Sequence, residues 1–163
     1  MKIGVVSDTH CRKLPKQMVD DFKTVDLIVH LGDFCSGKDL KALRKINKVR
    51  AVCGNMDELE VRQVLPVRDI FEADGVKIGL CHGEGSSSGV LNFVKNVFKR
   101  DKVDAIVFGH SHQPCNEMID GVLYFNPGSA TDTVRSVYRS YGMLEVNNGK
   151  ISGKIIKVND ADE

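Results

Sequence analysis

The stretch KIGVVSDTH, at residues 2–10, joins a short apolar run to polar residues that include an aspartate and a histidine. The run at 3–6 has the length and β-branched content of a buried strand. Similar runs follow at 27–31, 49–53, 76–81 and 105–108. In an open α/β sheet, ligands bind beyond the carboxyl ends of the strands. We therefore expect the five loops that follow these runs to converge on one place.

The five loops carry the side chains from which metal ligands are usually drawn. They read Ser7-Asp8-Thr9-His10, Gly32-Asp33, Gly54-Asn55-Met56-Asp57, His82-Gly83 and Gly109-His110-Ser111-His112. Most of these motifs alone are more typical of a turn, and a lone His82 of a hydrogen-bonded structural histidine. Gly109-His110-Ser111-His112 is a stronger signal, because two histidines two apart on a loop can both point inward. Their combination is more specific, because four of the five histidines in the chain fall at predicted strand ends. The fifth, His30, lies inside an apolar run, and we predict a hydrogen-bonded core or supporting residue rather than a ligand.

Helices are predicted between several strands, which indicates a βαβ arrangement. One covers 16–23, one begins at Ser36 with Asp39 completing a capping box, and one is capped by Ser88. Asp120-Gly121 and Asn148-Gly149 predict hairpin turns, so the C-terminal third is expected to be mainly antiparallel. These elements predict an α/β fold in which two sheets pack together under helices. We expect one domain over 1–158 and a frayed end over 159–163.

Composition narrows the class of protein. The chain has 163 residues, with 23 basic and 22 acidic side chains, so charge gives no reason to expect nucleic-acid or membrane binding. Five cysteines occur singly without CxxC spacing, which favours reduced thiols and a cytoplasmic location. A strand-like segment at the start argues against a signal peptide. No apolar run approaches the roughly 20 residues of a membrane-spanning helix.

The donor types indicate which metals fit. Two cations about 3.5–4 Å apart need a shared anionic bridge, and Asp33 is the natural candidate because it comes from the middle of the set. Several imidazoles disfavour calcium or magnesium, and unclustered cysteines disfavour a structural thiolate zinc site. Mixed nitrogen and oxygen donors fit manganese, iron, cobalt, nickel or zinc, and the sequence does not choose among them.

Taken in order, these motifs resemble the calcineurin-like metallophosphoesterase superfamily. The resemblance spans about residues 1–146. The short chain, Gly-Asn-Met-Asp at 54–57 and Asn126-Pro127-Gly128-Ser129 are similar to the small phosphodiesterases of the YfcE type.

The resemblance implies a four-layer α-β-β-α sandwich of two mixed sheets, and a hydrolase that holds two divalent metal ions per chain. The first ion would be held by Asp8, His10, Asp33 and His112, and the second by Asp33, Asn55, His82 and His110. Asp33, Asn55 and His82 would be the catalytic residues. In this family a metal-bound hydroxide attacks phosphorus. The implied substrate is a small phosphate ester, with a phosphodiester favoured, and a homo-oligomer is left open.

The sequence departs from the family pattern at Met56. Many members carry a histidine there, which is the proposed acid for the leaving group, and Met56 cannot transfer a proton. Asp57 then lacks the histidine that it would orient. Two alternatives to an enzyme stay open. One is a protein-interaction scaffold like Vps29, a retromer subunit of the same superfamily, and the other is a structural metal-binding or sensor domain.

Overall fold

Two five-stranded mixed sheets form the centre of the protein, described for residues 1–159 in a computed structural model. The strands are β1 (Lys2–Val6), β2 (Leu27–His30), β3 (Val49–Ala51), β4 (Arg68–Ala73), β5 (Val76–Cys81), β6 (Ala105–Phe108), β7 (Cys115–Ile119), β8 (Val122–Asn126), β9 (Ser140–Asn147) and β10 (Lys150–Lys157). The helices are α1 (Lys16–Phe22), α2 (Gly37–Ile46), α3 (Leu59–Val64) and α4 (Val90–Phe98).

Each sheet contains three parallel strands, which lie between two antiparallel edge strands in the second sheet and extend to one edge in the first. The first sheet has the order β10-β9-β1-β2-β3, with β1, β2 and β3 parallel to one another. The second has the order β4-β5-β6-β8-β7, with β5, β6 and β8 parallel. This arrangement places the carboxyl ends of the parallel strands of each sheet at one edge.

A continuous apolar cluster fills the space between the sheets, and it includes Ile3, Val29, Ile78, Val107 and Phe125. Helix α1 covers the outer face of the first sheet, and α4 covers the outer face of the second. Each helix lays a phenylalanine ring on a strand glycine. A Cβ at Gly4 would lie 2.6 Å from Phe22, and one at Gly79 would lie 2.7 Å from Phe98. The predicted four-layer α-β-β-α sandwich is therefore confirmed.

The predicted hairpin turns are also confirmed. Asp120-Gly121 joins β7 to β8 and Asn148-Gly149 joins β9 to β10. Both residues of each pair have positive φ, as the favoured two-residue hairpin turns require. The two hairpins belong to different sheets, and β8 also pairs in parallel with β6, so the C-terminal third is only partly antiparallel.

The helix caps match the prediction at one helix and not at the other. Ser36 is the N-cap of α2, and its hydroxyl accepts from the Lys38 amide at 3.3 Å. Ser88 does not cap α4, because Gly89 occupies the N-cap position without a side-chain bond. The Ser88 hydroxyl instead lies 3.2 Å from that of Ser86.

The C-terminal prediction is only partly covered by the described residues. The amide of Asn159 donates to Gln17 Oε1 at 3.0 Å, and residues 160–163 lie outside the described part. The single-domain division over 1–158 stays a prediction. Within residues 1–159, no helix is long and apolar enough to cross a bilayer.

Candidate metal centre

Five candidate ligands adopt a left-handed backbone conformation immediately after their strands. Their φ angles are 56° at Asp8, 48° at His10, 58° at Asp33, 67° at His110 and 57° at His112. This conformation costs a residue other than glycine about 1–2 kcal/mol, although aspartate tolerates it better than most. Such strain persists only where surrounding contacts impose the geometry, and it concentrates at functional sites.

Backbone hydrogen bonds between the first two loops impose that geometry. The amides of Asp8, His10 and Cys11 donate to the carbonyls of Gly32, Asp33 and Phe34, each at 3.0 Å. These three bonds continue the pairing of β1 with β2 beyond the sheet. The loops that carry Asp8, His10 and Asp33 are therefore fixed to each other rather than free to move apart.

The Asp33 carboxylate stands between two imidazoles. Its Oδ1 accepts from the Met56 amide at 2.8 Å, which fixes the side chain. Its Oδ2 lies 3.4 Å from His82 Nε2 and 4.0 Å from His10 Nε2. A single oxygen thus faces one histidine from each predicted ligand set, which is the geometry expected of a bridging carboxylate.

The centre contains two buried polar atoms without hydrogen-bond partners. His82 Nδ1 donates to the Leu31 carbonyl at 2.6 Å, so the lone pair of the neutral ring is on Nε2. Nε2 has no hydrogen-bond partner, and neither does Asp8 Oδ1, which lies 3.9 Å away. Burying polar atoms without hydrogen-bond partners is costly. A cation between the two atoms, in place of the proton that Asp33 and Asp8 favour on His82, would satisfy both, so this donor set fits a metal ion.

His112 is oriented by Asp132, a residue that the sequence analysis missed. His112 Nδ1 donates to Asp132 Oδ2, and both side chains are buried. Nε2 then points into the centre, 3.3 Å from Asp8 Oδ1 and 3.2 Å from His10 Nε2. Asp132 therefore selects the tautomer that leaves Nε2 free for a metal, as carboxylates commonly do behind histidine ligands.

Asn55 and His110 meet at the exposed side of the centre. The His110 amide donates to Asp8 Oδ2 at 3.0 Å, which connects its loop to Asp8. Its ring nitrogens lie 3.2 Å from Asn55 Oδ1 and 2.8 Å from the Gly85 carbonyl. The His110 side chain is thus bonded to protein oxygens, and it would have to turn to bind a cation.

Potential ligand atoms lie within 4.8 Å of one another in two groups of side chains. One group is Asp8, His10 and His112, and the other is Asp8, Asp33 and His82. Asp8 belongs to both groups. Like Asp33, it therefore lies between the two predicted sets of metal ligands. His110 belongs to neither group, although its amide contacts Asp8.

Burial and the neighbouring charges shift the pKa values of the centre in opposite directions. Burial favours neutral His82, but Asp33 and Asp8 outweigh it and raise its pKa to about 9. Burial would raise the pKa of Asp8, yet His112 and His82 hold it below its usual range. The pKa of Asp33 is also lowered, by His82 and the Met56 amide against the effect of burial. Both carboxylates are therefore anionic at neutral pH and suited to a cation.

Asp57 has a different role from the one implied by the resemblance. Its Oδ2 accepts from the amides of Gly54, at 2.7 Å, and Asp33, at 3.1 Å, and its Oδ1 accepts from Cys35 at 3.0 Å. Asp57 thus bonds three backbone amides in place of the histidine that the family pattern gives it. It connects the second loop to the third through their backbones.

Residues 126–129 connect the first loop to the last. Asn126 Nδ2 donates to the Gly109 carbonyl at 2.9 Å, and the Ser129 hydroxyl donates to the Asp8 carbonyl at 2.8 Å. Both side chains are fully buried. The segment is thus a tight turn that also supports the centre.

His30 is confirmed as a core residue. Its Nδ1 accepts from the Gly32 amide at 3.1 Å, so Nε2 donates to the Thr9 hydroxyl, also at 3.1 Å. The ring is stacked on Phe34 at 3.5 Å between centroids, and burial lowers its pKa to about 3. His30 therefore stays neutral, and its two hydrogen bonds hold the loops that contain Thr9 and Gly32.

Comparison with known proteins gives consistent matches. Residues 1–149 match the model of the calcineurin-like phosphoesterase superfamily domain. The chain is 37% identical to "Probable metallophosphoesterase MJ0623" of Methanocaldococcus jannaschii, over 98% of this chain and 83% of that protein. It is 32% identical to phosphodiesterase YfcE of Escherichia coli K12, over 70% of this chain and 59% of that protein.

The fold is also that of a solved eukaryotic protein. Vps29 of Chaetomium thermophilum superposes with a TM-score of 0.80 at 20% identity, covering 97% of each chain. At this identity the match shows the fold alone. Together with the sequence matches, it confirms the resemblance that the order of motifs indicated.

Proposed function

The chain belongs to the calcineurin-like phosphoesterase superfamily, and from this premise we propose that it hydrolyses a small phosphodiester at a centre of two divalent cations. The observation that carries the proposal is the pair of buried, unpartnered atoms Asp8 Oδ1 and His82 Nε2. Once His82 gives up its Nε2 proton, both atoms are electron-pair donors that face the same space. The centre concentrates two buried carboxylates whose charge needs a positive partner, which is a proton on His82 when no metal is bound and a cation when one is.

The proposed ligands follow the two groups of side chains. Asp8, His10, Asp33 and His112 would hold one cation, and Asp33, Asn55, His82 and His110 the other. When bound, such cations lower the pKa of water and neutralise charge on phosphoryl oxygens. Manganese, iron, cobalt, nickel and zinc all suit the mixed imidazole and carboxylate donors.

Neighbouring groups of the protein orient the proposed ligands. Asp132 orients His112, and the Leu31 carbonyl orients His82, so both rings present Nε2 to the centre. Asp33, Asn55 and His82 are proposed as the catalytic residues, because Asn55 and His82 line the cleft beside the centre and the Asp33 carboxylate lies 3.4 Å from His82. Asp8, which is fully buried, supplies fixed negative charge beneath them.

The leaving group receives no proton from position 56. The Met56 side chain is 60% exposed, and its amide is bonded to Asp33. We therefore expect a preference for phosphodiesters with acidic leaving groups, such as aryl esters. Rates measured across aryl phosphodiesters of rising leaving-group pKa should fall steeply. A flat dependence with chemistry rate-limiting would contradict this expectation.

The central experiment measures metal content and activity on the same samples. Protein reconstituted with each candidate metal is assayed with bis(p-nitrophenyl) phosphate and p-nitrophenyl phosphate. Asp33→Asn keeps the acceptor for the Met56 amide but removes the charge, so it should lose one cation and measurable turnover. The matched control is Asp20→Asn on the exposed face of α1, which should retain both. Full activity of Asp33→Asn with two bound cations would reject the role of Asp33.

A scaffold like Vps29 is the second candidate, because solved Vps29 structures share the fold. Exposed apolar side chains at Met56, Leu59, Val64 and Val67 suit protein contact. The buried donor set favours the enzyme. Absence of hydrolysis with every metal, despite two bound cations, would favour the scaffold or a metal-sensing domain.

The remaining expectations follow from the same proposal. A cytoplasmic location agrees with the absence of disulfides among the five cysteines, all of which are described as free. We expect a small-molecule substrate and no nucleic acid or membrane lipid as partner. The oligomeric state stays a prediction, to be measured by light scattering.

A further inference from the structure

A cleft of about 680 Å³ opens from one side of the metal centre. Asn55, His82 and His110, the residues proposed for the second cation alone, line one end of it. This volume lies within the range of about 300–1,000 Å³ typical of small-molecule sites. It is far more than a phosphoryl group needs, so the space suits an organic substituent attached to the phosphate.

Part of the cleft wall is apolar. Val67, Phe93 and Val97 line it, and Val67 is 72% exposed. Two thiols, Cys53 and Cys81, complete this surface. Burial raises the pKa of Cys53, and it raises that of Cys81 to about 12, so both thiols are neutral and behave as small apolar groups. Leaving such a surface in water is unfavourable, and an apolar ligand would cover it.

Two arginines line the cleft, and they differ in whether they form an ion pair. Arg68 Nη2 pairs with Asp101 at 2.7 Å, and its guanidinium lies 4.8 Å from the centre of the Phe98 ring. Arg62 has no ion-pair partner within 4.0 Å among residues 1–159. Arg62 and Glu84 both line the cleft without forming an ion pair, so Arg62 can offer its positive charge to a bound anion. That charge favours an anionic ligand over a neutral one.

We propose that this cleft binds an aromatic substituent of the phosphate ester, and that Phe93 and Val97 determine that specificity. The flat surface of the Phe93 ring favours a planar ring over a small alkyl group. Arg62 attracts the anionic ester whatever its substituent. The proposal rests on the proposed phosphodiesterase function and adds its substrate class.

The test compares two ligands that differ only in the ring. Phenylphosphonate and methylphosphonate carry carbon–phosphorus bonds that ester hydrolysis does not cleave, and both are titrated calorimetrically into the metal-loaded protein. The phenyl compound should bind about tenfold more tightly, as expected for one buried aromatic contact. Equal affinities in the unsubstituted protein would overturn the proposal.

Three variants identify the residues responsible. Phe93→Ala should reduce the tenfold preference to about twofold or threefold, because the ring contact is lost. Leu91→Ala is the matched control, since Leu91 packs on the same core from α4 and does not line the cleft. It should keep the preference. Arg62→Gln should weaken both phosphonates alike and leave their ratio unchanged.

A fourth variant distinguishes loss of the Phe93 ring contact from loss of folding. Phe93→Leu keeps an apolar side chain of similar size and should fold normally by circular dichroism, yet it should still lose most of the preference. An unchanged ratio in both Phe93 variants would refute the role of Phe93. Uridine 5′-monophosphate, titrated alongside, identifies the source of the ring: tighter binding than phenylphosphonate indicates a nucleobase, and weaker binding indicates a simple aryl group.

Hydrolysis of methyl p-nitrophenyl phosphate distinguishes the two proposals. Turnover of this ester without any preference for the phenyl ligand would reject the aromatic cleft and retain the phosphodiesterase. Ring-selective binding without turnover by any metal-loaded form would reject the phosphodiesterase and retain the cleft as a binding site.

Discussion

Asp132→Asn tests how the centre is assembled, because it removes one negative charge without removing side-chain volume. Asp132 Oδ1 accepts from the amides of Val134, at 2.8 Å, and Arg135, at 3.3 Å, and an asparagine oxygen can do the same. The other side-chain atom then becomes an NH₂ group, which cannot accept from His112 Nδ1. His112 would adopt the opposite tautomer, with its proton on Nε2 facing the centre.

The magnitude follows from that change of tautomer. A protonated Nε2 has no lone pair for a metal, so the first cation should bind about 10- to 100-fold more weakly. This corresponds to about 1.4–2.7 kcal/mol. Folding should be destabilised by a similar amount, because the charge-assisted bond that is lost is worth about 1.5–3 kcal/mol. The loop around residue 132 keeps both of its backbone bonds, so the protein should still fold.

The assay is calorimetric titration of metal-free protein, with metal content measured after dialysis. Asp132→Asn should hold one cation at concentrations at which the unsubstituted protein holds two. Nitrogen NMR of the imidazoles should show the His112 proton moving from Nδ1 to Nε2. Asp74→Asn, which alters an aspartate remote from the centre, is the control. Unchanged affinity, or weaker binding with an unchanged tautomer, would refute the reasoning.

Three further perturbations test other parts of the structure. Gly109→Ala would place a methyl group 1.9 Å from Ser7 Oγ, so it should cost about 1–3 kcal/mol of stability in thermal denaturation, whereas Gly37→Ala, in open space, should not. Metal binding at pH 7 should displace about one proton from His82, because the pKa of His82 is about 9, and metal affinity should rise with pH up to that value. Calorimetry in buffers of different ionisation enthalpy measures this proton release, and its absence would contradict the prediction. His30, with a folded pKa of about 3, contributes stability above pH 6.5 that is lost as pH falls towards 3, with a slope of about 1.4 kcal/mol per pH unit. Denaturant titrations of His30→Gln should lack that slope, and identical slopes would count against it.

The parallel strands that carry the centre were predictable because each combines an apolar run with a polar end. Strand β4 was not predicted, because it lies at the edge of its sheet and its residues include Arg68, Asp69 and Glu72. Helix α3 was not predicted either. Only Val61 of its residues is buried, while Leu59 and Val64 are largely exposed, so the sequence lacks a clear amphipathic period.

The site was predictable to the extent that its side chains follow strands. Asp8, His10, Asp33, His82 and His112 form the two compact groups because parallel strands end at a common edge. Asp132 gave no comparable signal. It stands 20 residues after its partner, in a loop where an aspartate is ordinarily a turn residue. Contacts of this kind depend on how the two sheets are packed, which local sequence does not encode.

None of the seven candidate ligands belongs to the apolar cluster between the two sheets. The residues that pack the core and the residues proposed to bind metal are therefore separate sets. A descendant that lost its cations would keep its architecture, and its exposed rim would be free to acquire contacts with another protein. The sandwich therefore allows a protein that binds metal to become one that binds another protein, with the same architecture.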